Sequence, residues 1–254
     1  MIQYDLAMEN VCAVILAAGK GTRMNSQVPK SLLKISKKPL IFWTLEKINK
    51  AGIKEQVVVV GFKSEEVKKE IFKAGFDVKF AKQKVLNGTA RSLQTALTKI
   101  DDSTKTVLVL FSDDSAFYKP ETLIEFLKYH IKKHNNVTFL VSNLKKISDI
   151  GGLDLDNKGH VIGVLTRSQL IQKGVKQYPV LCGAFCFNLE WLKNNIKKIK
   201  MNDYSKEYPL PQIYKIAISE GSFVDTFPLK DSQEWMSVNT IEEFNRAKKI
   251  KKYV

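Results

Sequence analysis

A loop rich in glycine and in cations follows the first apolar run of the chain. Residues 13–35 read AVILAAGKGTRMNSQVPKSLLKI, so small residues lead into Arg23 and Lys30. Small residues let a backbone approach a ligand closely, and successive N–H groups of such a loop can bind an anion. Arginine presents a forked donor that suits phosphate, and lysine adds a mobile point charge. The pattern therefore predicts a phosphate-binding loop, most simply for a nucleotide.

Two general phosphate-loop motifs do not describe this loop. A Walker A loop requires G-x-x-x-x-G-K followed by Ser or Thr, whereas residues 19–22 read GKGT. A dinucleotide fingerprint requires G-x-G-x-x-G, and Met24 stands at the position of its third glycine. The loop is therefore of another kind.

Residues 16–24, LAAGKGTRM, with Pro29, Lys30 and the LLKISKKPLI that follows, resemble the signature of sugar-phosphate nucleotidyltransferases. The similarity is greatest to N-acetylglucosamine-1-phosphate uridylyltransferase (pyrophosphorylase) domains. The resemblance implies that Arg23 and Lys30 are catalytic, neutralising charge at the α-phosphate and on the departing pyrophosphate. It also implies a set of loop residues that bind the nucleoside triphosphate: Leu16, Ala17, Ala18, Gly19, Gly21 and Thr22.

The family reads the nucleotide base with a Gln that is followed five residues later by Gly-Thr. Here Gln83 precedes Gly88 and Thr89 at that spacing. An amide both donates and accepts hydrogen bonds, so it can pair with the edge of a pyrimidine. The resemblance therefore adds these three residues to the nucleotide-binding set.

The family holds Mg²⁺ with an acidic residue after its central strand and an Asn before its last helix. The matching residues are Asp113 in VLVLFSDDSAF, where Ser112 replaces the family's glycine, and Asn239 in WMSVNTIEEF. A carboxylate at the end of a strand suits a hard cation that also touches phosphate. The neighbouring Asp114 is open to two interpretations, a second ligand or a solvated turn residue, and we expect the latter.

The acceptor half departs from the family pattern. Residues 150–153 read IGGL where the family has Gly-Tyr-Gly-Arg, and residues 181–183 read LCG where it has Asn-Thr-Gly. Thr166 stands where a Glu grips sugar hydroxyls. The predicted sugar-binding residues are therefore Gly152, Thr166 and Gly183. Because the polar side chains are lost and such hydrogen bonds govern selectivity, we expect a rebuilt acceptor pocket.

The elements that must position these residues alternate regularly along the first half of the chain. Runs such as QVVVVGF and KTVLVLF indicate buried strands, and amphipathic stretches such as KSEEVKKEIFKAGF indicate helices. Alternation of this kind predicts an α/β fold with helices on both faces of a parallel sheet, and ligands then bind at the carboxyl ends of the strands. The resemblance implies a Rossmann-like, mixed but mostly parallel sheet of the nucleotide-diphospho-sugar transferase fold, with a small sugar-facing lobe.

Residues 1–254 predict one nucleotidyltransferase domain, because no linker rich in Pro, Gly or Ser interrupts them. About 1–147 form the nucleotide-binding half, and about 148–254 form the acceptor-binding half with a C-terminal helix. A hairpin is expected near residues 151–167, with its turn at 157–159. The hexapeptide-repeat acetyltransferase domain of the family is not expected, since the sequence ends in KKIKKYV.

Amino-acid composition indicates which classes of partner and which cellular compartment to expect. The net charge is +15, yet only four of the 41 basic residues are arginines, and the lysines are scattered over helical faces. We therefore expect no nucleic-acid partner. There is no apolar run of about 18 residues or more, so no membrane partner is expected either. Cys12, Cys182 and Cys186 have no C-x-x-C spacing, which favours buried thiols and a cytoplasmic location.

The expected reaction is nucleotidyl transfer, with Mg²⁺ as cofactor and a nucleoside triphosphate and a sugar phosphate as partners. Three alternatives remain open: UTP with N-acetylglucosamine 1-phosphate or a related sugar phosphate, another pair such as CTP with an alcohol phosphate, and an inactive nucleotide-binding protein. No general base is needed, so we expect His130, His134 and His160 to be surface residues. The oligomeric state is open.

Overall fold

The computed structural model describes residues 8–21, 24, 27–145 and 151–249. Its strands, in chain order, are β1 Val11–Ala17, β2 Lys34–Ile35, β3 Lys38–Pro39, β4 Glu55–Val60, β5 Lys79–Lys82, β6 Thr106–Phe111, β7 Val137–Leu144, β8 Gly152–Leu155, β9 Val161–Leu165, β10 Tyr178–Asn188 and β11 Val224–Pro228. Its α-helices are α1 Leu40–Lys50, α2 Ser64–Lys73, α3 Thr89–Ala96, α4 Pro120–Lys132, α5 Arg167–Gln172, α6 Leu189–Asn195, α7 Ile213–Ser219 and α8 Ile241–Ala247.

The main sheet has seven strands in the order β11-β7-β10-β6-β1-β4-β5. Strand β1 pairs in parallel with β4 and β6, β4 with β5, and β11 with β7. Strand β10 is antiparallel to both of its neighbours, β6 and β7. The mixed, mostly parallel sheet expected from the sequence is therefore confirmed.

Both faces of the sheet are covered, which explains why β1 is apolar throughout. Alternate β1 residues such as Val14 pack with α3, α6 and α7 on one face. The intervening residues, such as Ile15, pack with α1, α2 and α4 on the other. A strand buried on both faces has no polar side, so VCAVILA is buried along its whole length.

The topology brings the ends of β1 and β6 to one edge of the sheet. Leu16 is paired with Phe111, and the Ser112 N–H donates to the Leu16 carbonyl at 3.2 Å. The glycine loop that follows β1 and the acidic pair that follows β6 are therefore neighbours, as the parallel arrangement requires.

The second half adds the expected β8–β9 hairpin, whose turn is closed by the Asp156 N–H donating to the His160 carbonyl at 2.9 Å. Helix α5 follows the hairpin and was not predicted. The expected C-terminal helix, α8, begins with a capping box, in which the Glu243 N–H donates to Thr240 Oγ1 at 3.1 Å. Residues 146–150, where the two halves would divide, lie outside the described residues.

The expectation for the cysteines is confirmed, whereas the expectation for the histidines is wrong for one of them. All three cysteines are buried free thiols, as expected. The expectation that His130 is a surface residue is wrong, because it is 2% exposed on the inner face of α4 and bonds Thr138 Oγ1 at 2.8 Å through Nδ1. His134 is exposed, and His160 is partly buried beside Asp156. Every helix within the described ranges is too short or too polar to cross a bilayer.

Candidate active site

A cavity of about 690 Å³ opens at the carboxyl edge of the sheet, between the loop after β1 and the residues after β6. This volume is within the range of small-molecule sites. The predicted site residues that line it come from five separate segments: Leu16, Ala17, Ala18, Gly19, Gly21, Lys30, Gln83, Gly88, Thr89, Asp113 and Asn239. Thr22 and Arg23 lie outside the described residues, so their roles stay predictions.

A three-residue polar cluster lies at one side of the cavity. Lys30 Nζ donates to Asn239 Oδ1 at 2.7 Å and also to Asp113 Oδ2. Lys30 begins a short 3-10 turn after Pro29, Asp113 follows β6, and Asn239 precedes α8. The side chains of Lys30 and Asp113 are only 14% and 18% exposed. The fold thus brings together three of the residues that the sequence assigned to catalysis and to metal binding.

Asn239 is oriented by the first turn of α8. Its backbone N–H donates to Glu243 Oε2 at 2.6 Å, and its side-chain amide donates to Ser237 Oγ. The Thr240 N–H shares the same Glu243 oxygen at 3.0 Å. With its NH₂ group bound to Ser237, Asn239 directs its carbonyl oxygen toward Lys30. The capping box therefore positions a predicted site residue as well as starting a helix.

The stem of Lys30 is packed against Gly21. Gly21 has φ +64°, and a β-carbon there would lie 3.1 Å from the Lys30 β-carbon. The left-handed backbone conformation and the close approach both favour glycine at this position. The second glycine of the loop therefore helps to fix where the lysine enters the cavity.

The cluster fits a divalent cation of the Mg²⁺ type. Asp113 supplies a carboxylate oxygen and Asn239 an amide oxygen, which are the hard ligands that Mg²⁺ prefers. Both oxygens already converge on one positive charge, the ammonium of Lys30. No group of three or more His, Cys, Asp or Glu side chains with metal-binding geometry exists among the described residues. The remaining ligands would therefore be phosphate oxygens and water, as is usual for Mg²⁺.

Asp114 is buried, so the expectation of a solvated turn residue is wrong. It is 8% exposed, and its Oδ1 has no hydrogen-bond partner within the described part of the chain. Burial, and next the charge of Asp113, raise the pKa of the Asp114 carboxyl well above its usual range, while Lys30 opposes this shift. The two adjacent acids therefore differ in their environment: in the described structure Asp113 forms an ion pair with Lys30, and Asp114 does not.

A bulge in β10 makes room for Asp114. The register between β10 and β7 shifts between Leu181 and Phe185, and within this stretch Gly183 has φ +71°. A β-carbon on Gly183 would lie 2.4 Å from Asp114 Oδ2. The Tyr118 hydroxyl donates to the Cys182 carbonyl and holds the bulge in place. Gly183 therefore has a packing role in the described structure.

The other two predicted sugar contacts also have local roles. A β-carbon on Gly152 would lie 2.5 Å from Tyr178 Cδ2, so this glycine permits close packing of β8 on β10. Thr166 caps α5 by accepting the Gln169 N–H at 3.3 Å. Gly152, Thr166 and Gly183 are not among the residues that line the cavity. Within the described ranges the structure therefore does not bring the predicted sugar contacts into this cavity.

The loop between β5 and α3 builds the side of the cavity where the resemblance places the nucleotide base, here called the base side. Gln83 Nε2 donates to the Gly88 carbonyl at 3.3 Å, which sets the orientation of its amide. Gly88 has φ +112°, and the chain at Tyr208 crosses directly over it. Thr89 Oγ1 accepts the Leu210 N–H at 2.8 Å, so this hydroxyl ties α3 to the crossing segment.

Four polar residues that line the cavity were not assigned to the site from the sequence: Lys20, Ser31, Ser92 and Glu207. Ser31 and Ser92 are 2% and 3% exposed, and neither hydroxyl has a partner among the described residues. Their positions offered a weak signal, because Ser31 adjoins Lys30 and Ser92 lies one helical turn after Thr89. These two hydroxyls can therefore form hydrogen bonds with a molecule bound in the cavity.

Comparison with known proteins agrees with this geometry. The family model described as nucleotidyl transferase matches residues 12–252. The bifunctional protein GlmU of Geotalea daltonii is 30% identical over 243 residues, and that of Thermoanaerobacter pseudethanolicus is 32% identical over 243 residues. These matches cover 96% of this chain but 53% and 52% of the relatives, so the chain spans about half their length.

Solved structures show the same fold. A Bacillus anthracis protein assigned as a glucose-1-phosphate thymidylyltransferase, in complex with a sucrose, superimposes with a TM-score of 0.76 at 17% identity over 94% of both chains. HddC from Yersinia pseudotuberculosis complexed with GMP-PN gives 0.72 at 17% identity over 93% of this chain and 97% of that one. With the extent of the family match, these findings confirm the family resemblance: the chain belongs to the nucleotidyl transferase family.

Proposed function

We propose that the protein transfers a nucleotidyl group from UTP to N-acetylglucosamine 1-phosphate or a related sugar 1-phosphate, with Mg²⁺ and with release of pyrophosphate. The observation that supports this most is the convergence of Lys30, Asp113 and Asn239 at a nucleotide-sized cavity. The lysine, carboxylate and amide match, residue by residue, the family's phosphate-binding and metal-binding positions. Pure nucleotide binding would not require all three.

The reaction needs charge neutralisation more than proton transfer. An oxygen of the sugar phosphate forms a bond to the α-phosphorus, and the bond to pyrophosphate breaks, with the electron pair leaving on pyrophosphate. A phosphate monoester has a second pKa of about 6, so its oxygen is already anionic at neutral pH. Catalysis then depends on alignment of the reactants and on stabilisation of the charge that develops. Lys30, and Arg23 in the proposal, supply that stabilisation.

The loop backbone and the lysine hold the triphosphate in position. Ala18 has only a methyl side chain and Gly19 and Gly21 have none, so the phosphates can approach the main chain. Asp113 and Asn239 would hold Mg²⁺, which when bound neutralises charge on the phosphates. The low exposure of Lys30 and Asp113 reduces solvent screening, and electrostatic stabilisation is therefore stronger there than at a surface.

Base selection is proposed to rest on Gln83 and the adjacent loop. With Nε2 donating to the Gly88 carbonyl, Gln83 Oε1 is directed to accept a hydrogen bond, for which the N3–H of uracil is a suitable donor. The HddC structure complexed with GMP-PN has the same fold, so a guanine nucleotide belongs in the test.

A second candidate reaction uses another nucleotide and acceptor, such as CTP with an alcohol phosphate. It is favoured by one observation: Gly152 and Thr166 have local structural roles and do not line the cavity. The family's hydroxyl-gripping side chains are also absent from these positions. A different acceptor would then contact other residues.

A panel of substrates separates these proposals. UTP, CTP, dTTP and GTP are each incubated with several sugar and alcohol phosphates in Mg²⁺, and pyrophosphate release is measured. We expect release with UTP and an N-acetylhexosamine 1-phosphate, and strong loss of release in Asp113→Asn. Release with CTP and an alcohol phosphate alone would support the second candidate. Nucleotide binding with no release from any pair would contradict both and favour a nucleotide-binding protein.

A further inference from the structure

The ammonium of Lys30 lies where the two candidate metal ligands converge. It donates to Asn239 Oδ1 at 2.7 Å and to Asp113 Oδ2, the two oxygens that fit a divalent cation. We propose that the Lys30 ammonium and a divalent cation compete for these two oxygens and exchange there. This inference rests on the proposed function for the source of the metal and the nucleotide.

The two cations exclude one another at this position. Mg²⁺ binds oxygen ligands at about 2.0–2.1 Å and keeps an ordered shell of ligands around it. The Lys30 ammonium takes up hydrogen-bonding space on the same two oxygens. Repulsion between like charges adds to the steric conflict, and it is weakly screened because these side chains are mostly buried. Metal binding therefore requires the lysine to leave.

Three features of the structure favour the lysine in this competition. The Lys30 ammonium is bonded to Asp113, which adjoins the buried Asp114, so a positive charge lies beside two neighbouring acids. The stem is packed against Gly21, which keeps the side chain within the cavity. Asn239 is held by Ser237 and Glu243, so its oxygen is a fixed acceptor for the ammonium. A metal that binds to these oxygens must therefore displace a lysine that several contacts hold in place.

A triphosphate offers the lysine a second partner within reach. Lys30 lines the same cavity as the glycine loop, and its four-carbon stem is flexible. A bound triphosphate carries several negative charges, so the ammonium can turn from Asp113 to the phosphates without leaving the cavity. That movement releases two oxygen ligands for the metal. Metal and nucleotide binding should consequently reinforce each other by the same factor in both directions.

The test measures binding of Mn²⁺ alone to nucleotide-free protein by electron paramagnetic resonance. Wild type is compared with Lys30→Met, which removes the ammonium, and with Lys34→Met, a control that removes an exposed charge nearby on β2. We expect Lys30→Met to bind Mn²⁺ at least tenfold more tightly than wild type, and Lys34→Met to match wild type. In Lys30→Met combined with Asp113→Asn, the tight binding should be lost. Lys30→Gln replaces Lys30→Met if the latter does not fold, as checked by circular dichroism.

A second measurement adds the non-hydrolysable α,β-methylene analogue of UTP to wild type, which should tighten Mn²⁺ binding. Lys30 variants that bind Mn²⁺ no more tightly than wild type would overturn the exchange, as would tight binding that survives Asp113→Asn. The substrate panel tests the proposed reaction independently of the Mn²⁺ measurements. If the panel gives no pyrophosphate but Lys30→Met gains Mn²⁺ affinity, the exchange stands and the proposed reaction fails. If pyrophosphate is released but no gain is seen, the reaction stands and the exchange fails.

Discussion

Replacing Gly88 with alanine tests how the base side of the cavity is built. Gly88 has φ +112°, and a β-carbon there would lie 2.4 Å from the Tyr208 nitrogen and 2.6 Å from the Tyr208 carbonyl oxygen. The crossing backbone cannot move freely, because the Tyr208 N–H donates to the Asn87 carbonyl at 2.8 Å and the Ala90 N–H donates to the Tyr208 carbonyl at 2.9 Å. Alanine must therefore disturb both the turn and the crossing segment.

The expected loss of stability has two parts. A non-glycine residue in a sparsely populated backbone region costs about 1–3 kcal/mol. Weakening the two hydrogen bonds to Tyr208 adds about 1 kcal/mol each. Gly88→Ala should thus lower the free energy of unfolding by about 3–5 kcal/mol.

Gly75→Ala is the matched control. Gly75 has φ +78°, but nothing lies within 4 Å of the position its β-carbon would take. It should lose only the conformational part, about 1–2 kcal/mol. Both variants are measured by urea unfolding with linear extrapolation, together with UTP binding by calorimetry. Equal stability of the two variants, or unchanged UTP affinity in Gly88→Ala, would refute this account of the loop.

Three further predictions concern other parts of the molecule. Burial lowers the pKa of His130 to about 4, below its unfolded value of 6.5; the unfolded state therefore binds the proton first as the pH falls. Between pH 7.5 and pH 5 this should remove about 2 kcal/mol of stability. In urea titrations His130→Gln should lose less, and an equal loss would contradict the assignment. Gly183→Ala should destabilise by about 2 kcal/mol, since φ is +71° and Asp114 Oδ2 would lie 2.4 Å from the new atom. Unfolding of the double variant with Asp114→Ala should recover part of that loss, and strictly additive losses would argue against the contact. Lys30→Ala should lower kcat for pyrophosphate release at least about 100-fold, whereas Lys34→Ala should remain near wild type; unchanged turnover in Lys30→Ala would remove this residue from the mechanism.

The sheet and the cluster around Lys30 were accessible from the sequence for a physical reason. Short apolar runs alternating with amphipathic stretches allow few folds, and a parallel sheet sends its carboxyl ends to one edge. That rule alone places the loop after β1 beside Asp113. Joining Asn239 to them needed the family resemblance, because nothing in the local sequence around residue 239 indicates which edge it reaches.

The errors have different origins. Burial of Asp114 depends on Gly183, which belongs to a strand that arrives almost 70 residues later, so no local pattern reveals it. Thr166 was matched by position to a sugar-binding residue, but Gln169 three residues on signals the capping box that the structure contains. His130 could have been placed correctly, since it continues the buried helical series of Leu123, Phe126 and Leu127 on α4.

The bond between Lys30 and Asn239 joins residues 209 positions apart. During translation, the strands that precede the cavity loops are synthesised well before Asn239, the third member of the polar cluster. A nascent chain lacking the segment before α8 would present Asp113 and Lys30 without the fixed amide oxygen beside them. The amide oxygen beside Lys30 and Asp113 is therefore supplied only after every strand of the described sheet has been synthesised.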